Sequence, residues 1–141
     1  MLVHAHSGLR WLALGLLIYA IYNAVANKNS YEKKDKMINL FAMISLHIQL
    51  LLGLILYYTS GNVSFDTGWM KNAVTRFYGM EHFIGMLVAV ALVSIGRKLA
   101  EKQDGPELKN KKIMVWYTIS LILILISIPW PFREALGGSW F

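Results

Sequence analysis

The 141-residue chain contains no cysteine. That absence excludes disulfides, thiolate metal ligands, cysteine-bound iron–sulfur clusters and haem attached through a Cys-x-x-Cys-His motif. Charge is scarce as well. Only 16% of residues are Asp, Glu, Lys or Arg, against about a quarter in soluble domains. There is no glycine-rich phosphate loop, nucleophile motif or nucleic-acid module. Internal repeats and low-complexity tracts are also missing, and 141 residues suffice for one domain.

The residues that are present are apolar. Hydrophobic residues make up 56% of the chain and the mean hydropathy is +0.46. Four runs approach the roughly 20 apolar residues that a helix needs to cross the hydrocarbon layer. They cover about Val3–Ala26, Met37–Tyr58, Phe77–Gly96 and Ile113–Phe132, the last stopped by Pro129, Trp130 and Pro131. An open strand edge does not survive in lipid, so all four are expected to be α-helices. The fold class is thus an all-α, integral membrane four-helix bundle in a single domain, in contact with the lipid bilayer. The first run lacks a basic n-region and a small-residue cleavage site, so it is read as a retained helix.

The net charge of +6 does not point to nucleic acid, because the charges sit in short loops. Ten of the fourteen basic residues lie in Asn27–Lys36 and Arg97–Lys112. The positive-inside rule places both loops in the cytoplasm and both termini on the outer, periplasmic side. Segment Thr59–Thr75, with Phe65, Trp69 and Met70, is expected as an outer loop with a short interfacial helix.

Histidines carry the chemistry. His6, His47 and His82 lie in or beside the apolar runs, and His4 just precedes them. An ionisable group at membrane depth usually faces a bundle interior, a cavity or a cofactor. Counted from the basic residues at 1.5 Å per residue, His47 lies about 16 Å up, His82 about 22 Å and His6 about 32 Å. The expected ligand is haem b, held by His47 and His82 with His6 as the alternate outer ligand. Arg10, Arg76 and Arg133 would meet its propionates, since arginine binds carboxylates with a planar fork. Glu81 lies near the level of Arg10, and Gly85 would leave room for a flat ring.

Other readings stay open. A membrane histidine can simply hydrogen-bond between helices, Arg10 and Glu81 can form a structural ion pair, and Gly85 can serve close helix packing. Copper or zinc held by His4, His6, His82 and Glu81 is an alternative to haem, because imidazole suits both metals.

Four strings together resemble a family of small four-helix bacterial membrane proteins labelled cytochrome b or cytochrome b-like. They are His6-Ser7-Gly8-Leu9-Arg10-Trp11, Leu46-His47-Ile48-Gln49, Arg76-Phe77-Tyr78-Gly79-Met80-Glu81-His82 and Ile128-Pro129-Trp130-Pro131-Phe132-Arg133. The resemblance implies haem b, the bacterial inner membrane and electron transport rather than a stand-alone enzyme. Quinol or a respiratory-complex subunit would be the partner of such an electron relay. The competing function is an accessory subunit of a larger membrane complex.

Because the chain has no native cysteine, its orientation can be read with single introduced ones. Ser64→Cys is expected to react with a membrane-impermeant maleimide added to intact cells. Ser30→Cys should react only after permeabilisation, and the opposite pattern would invert the topology.

Overall fold

The computed structural model describes residues 1–141 and is entirely helical. Four long helices, α1 (Leu2–Ala26), α2 (Lys33–Thr59), α3 (Ala73–Glu101) and α4 (Pro106–Ser127), are each long and apolar enough to cross a membrane. They run antiparallel, so both termini and the long α2–α3 connection share one end. The two short basic loops share the other.

The helix ends reflect local chemistry. Glu32 and Asp35 form a reciprocal capping box at the start of α2, satisfying N–H groups that a helix leaves open. Asn72 caps α3 by accepting from the N–H groups of Val74 and Thr75. Pro106 opens α4 at a position where a missing N–H costs nothing. Three helices begin four to seven residues before their apolar runs or end beyond them, because charged ends such as Lys33–Lys36 and Pro106–Lys112 are helical too. At its other end α4 stops at Ser127, short of the expected Phe132. Ile128 takes an extended backbone, as the residue before a proline must. The expected interfacial helix in the α2–α3 connection is a single 3-10 turn, Trp69–Lys71.

Each helix neighbours two others: α1 packs on α2 and α4, and α3 packs on α2 and α4. Helices α1 and α3 therefore face each other diagonally. The tightest seam is α3–α4, where a Cβ on Gly96 would overlap Cβ and Cγ of Trp116. Ala89, Val93 and Ala100 continue this small-residue surface and are fully buried, as expected where helices approach without a hydrophobic drive. The outward faces carry Leu12, Ile18, Phe41, Leu51, Ile122 and many similar exposed side chains, a surface suited to lipid rather than water.

A polar lock closes the basic end. Asn23 donates to Asp35 at 2.6 Å, and Asn110 donates to the carbonyls of Asn27 and Ser30 at 2.9 and 2.8 Å. Tyr31 donates to Glu101 at 2.7 Å, while Lys36 pairs with Glu101 at 3.1 Å. Burial, with the Glu101 hydrogen bond, pushes the Tyr31 hydroxyl well above its ordinary range, so it stays a donor. Deeper in, fully buried Tyr117 donates to the Asn39 carbonyl at 2.7 Å.

Gly96→Ala is expected to destabilise the bundle by about 1–3 kcal/mol, because the Trp116 Cβ is fixed to its backbone and cannot step aside. A thermal melt in detergent measures this. An unchanged melting temperature would mean that the α3–α4 seam is looser than described.

Candidate functional site

The site begins with an irregular turn. Residues Phe77–Glu81 are wound as π-helix, and the His82 N–H bonds to the Phe77 carbonyl. Such a turn adds one residue and rotates the helix before it relative to the helix beyond it. Glu81 is left exposed on the flank, and His82 is directed at α4. The His82 Nδ1 donates to the Ser127 carbonyl at 2.7 Å. That carbonyl belongs to the last turn of α4, where the helix supplies no N–H partner. A carbonyl can only accept, so Nδ1 carries a proton, and in the neutral ring that leaves the lone pair on Nε2.

His6 faces His82 across the bundle diagonal. The ring centroids are 6.4 Å apart and the rings are nearly perpendicular, at 85°. Helix α2 supports His6 at two points. Gln49 Nε2 donates to the His6 carbonyl at 3.0 Å, and a Cβ on Gly53 would touch His6 Cε1 at 3.4 Å. The two histidines line a cavity of about 230 Å3 whose walls include Leu14, Leu46, Leu50, Met86 and Val90. Three buried polar atoms there have no protein partner: His6 Nδ1, Arg10 Nε and Gln49 Oε1.

His47 stands elsewhere. Its Nδ1 donates to the Met43 carbonyl of its own helix at 2.8 Å, and its Nε2 lies 3.4 Å from the Ser94 hydroxyl. It is exposed and does not line the cavity. The pair brought together is thus His6 and His82, edge-on, not His47 and His82. The true helix ends explain the difference. Helix α3 continues to Glu101 and α2 begins at Lys33. Counted from those ends, His82 and His6 lie about 28 and 30 Å up, while His47 lies about 21 Å up.

The arginines do not converge. Arg10 donates to the carbonyls of Ser139 and Trp140 at 3.2 and 2.9 Å. Arg76 pairs with Glu81 at 2.8 Å, so the ion pair of Glu81 is with Arg76 rather than Arg10. Arg133 donates to the carbonyls of Ile126 and Ile128 and lies over the Phe77 ring. Glu81 and Arg133 line a separate hollow on the α3–α4 flank. Of the three, only Arg10 lines the histidine cavity. Gly85 does not open space for a ring, since a Cβ there would overlap the Ser127 hydroxyl. His4 is exposed, and no group of three or more His, Cys, Asp or Glu side chains gathers to hold a metal ion.

A strap of chain closes the terminal end of the cavity. Gly137, Gly138 and Ser139 line it, and Gly138 packs so tightly on the Pro129 carbonyl that no side chain fits. Trp11 donates to the Trp140 carbonyl at 3.0 Å and stacks on its ring at 6.1 Å.

Chemically, two imidazoles whose ring centroids stand 6.4 Å apart, one with its Nδ1 on a carbonyl, have the spacing that a metal ion bound from both sides would need. With each nitrogen about 2 Å from one ion, the ring centroids would stand roughly 6 Å apart. Ser127 is the functional residue that sequence reading misses, because a backbone carbonyl leaves no signature in side-chain identity.

Arg10→Leu is expected to release the strap. Hydrogen bonds from a charged donor are worth about 1.5–3 kcal/mol, so trimming of Phe141 and Trp140 by a carboxypeptidase should speed up roughly tenfold or more. An unchanged rate would show that Trp11 alone holds it. No protein-family model matches this chain, and no match was found among curated proteins or solved structures.

Proposed function

We propose that this chain is a haem b protein of the bacterial inner membrane that relays electrons, with His6 and His82 as the two iron ligands. The observation that carries the reading is the facing pair: two imidazoles from diagonal helices, 6.4 Å between centroids, one with its Nδ1 fixed by a carbonyl. Metal-bound histidines almost always donate the other ring N–H in this way. Bundle cores commonly house cofactors between facing helices.

The donor set fits haem, and so does the apolar lining. Arg10 Nε, buried and unpartnered, is the group available to a propionate. The volume of about 230 Å3 is below the 300–1,000 Å3 usual for ligand pockets. Seating a porphyrin therefore requires α2 and α3 to part, and theirs is the loosest seam in the bundle. Bound haem supplies a one-electron couple. The protein supplies the two ligands, sets the His82 tautomer and screens the site from water with the strap. With the basic loops in the cytoplasm, the site falls in the periplasmic half of the bilayer. A quinol in the lipid or a respiratory-complex subunit is then the natural exchange partner. Copper or zinc is the weaker choice, because His4 and Glu81 do not join the pair.

A second reading, an accessory subunit of a larger membrane complex, is favoured by α2. Only 11% of its apolar window is buried, against 28–33% for the other helices, and His47 is exposed on it at membrane depth. A polar side chain there is costly in lipid and is relieved by a protein neighbour.

Reduced-minus-oxidised spectra of detergent-purified variants test the assignment. His6→Ala and His82→Ala are each expected to abolish or shift the Soret band, and His47→Ala to leave it unchanged. Loss in His47→Ala with retention in His6→Ala would restore the His47–His82 pair. A colourless wild-type protein, made with haem in supply, would favour the accessory subunit.

A further inference from the structure

We propose that Gln49 is the positioning residue for the His6 imidazole, the counterpart on α2 of the Ser127 carbonyl that fixes His82. This inference rests on the haem reading above. The two ligand histidines are unequal in the structure. His82 Nδ1 has an acceptor at 2.7 Å, whereas His6 Nδ1 is buried with none. A ring whose Nε2 binds a metal must place the Nδ1 proton somewhere.

Gln49 is the side chain equipped to receive it. It is the residue of α2 that hydrogen-bonds to α1 at His6, through Nε2 and the His6 carbonyl. That bond also fixes the amide orientation, because the reverse would set two oxygens against each other. Its Oε1 is therefore an acceptor, and it is buried, unpartnered and part of the same cavity wall. Gly53, one turn further along α2, lies against His6 Cε1 and leaves the ring free to settle. A donor without an acceptor and an acceptor without a donor thus share one wall. The proposal requires that they meet, directly after the ring settles or through one bridging water. An acceptor on Nδ1 makes the ligand more basic and favours the oxidised metal.

Gln49→Met and Gln49→Glu test this together. Both lose the amide donor to the His6 carbonyl; Gln49→Met also removes the acceptor facing Nδ1, whereas Gln49→Glu keeps an acceptor and adds negative charge. In haem-loaded protein the midpoint potential is expected to rise in Gln49→Met and fall in Gln49→Glu. A tenfold change in relative affinity for the two oxidation states corresponds to about 59 mV. A Gln49→Met potential equal to that of the wild type, with haem still bound, would overturn the role of Gln49 and leave the haem assignment intact. If the wild-type protein takes up no haem, that assignment fails. Nitrogen-15 NMR of the histidines in the haem-free protein then decides the point: a His6 tautomer lost in Gln49→Met supports the contact, and the same tautomer in both proteins rejects it.

Discussion

Within a bilayer a polar group has no water to turn to, so each one must be answered by another part of the protein. Most of this bundle obeys that constraint. The basic end answers it with Asn23, Asp35, Asn110, Tyr31 and Glu101, and the interior with Tyr117 on the Asn39 carbonyl and Ser120 on the Ala89 carbonyl. Five buried side-chain atoms escape it, and three of them surround one cavity. Random packing faults would scatter. Their concentration beside the facing histidines is what sets this cavity apart from a void.

The two ends of the bundle divide the work. At the basic end, side chains from all four helices and the first loop interlock and leave little freedom. At the other end, the π-turn in α3, the early stop of α4 and the strap held by Arg10 are all departures from regular helix. Each of them presents a backbone carbonyl or a ring to the cavity. The last turn of a helix leaves its carbonyls without N–H partners, which is what makes the Ser127 carbonyl available to His82.

Much of the architecture is legible from hydropathy alone, since four apolar runs leave few alternatives. Helix ends are less so. Apolar runs mark where lipid lies, while the helices extend through charged residues such as Lys33 and Lys109 that a hydropathy pattern excludes. That displacement also obscures the histidine pairing. Depths counted from Lys36, Asn27 and Arg97 set His82 nearer to His47, whereas the real end of α3, four residues past Arg97, raises His82 to the level of His6. The π-turn and the Ser127 carbonyl are invisible for a different reason: both are backbone features. The arginines do lie near the terminal end, as their places in the sequence suggest. Their partners, mainly carbonyls of the α4 terminus and the strap, depend on tertiary folding.

The close contact of Gly96 with Trp116 has a consequence for assembly. Helices α3 and α4, joined by a short loop and meeting at small residues, form a local hairpin, and local contacts form fastest. Helices α1 and α2 form the other. The cavity lies where these two hairpins meet, and the strap that seals it docks only once both are in place. The basic-end lock ties the hairpins together at their far end, so a local opening that parts them at the cavity end would cost less than global unfolding. A large flat molecule could enter through that opening while both hairpins remain folded.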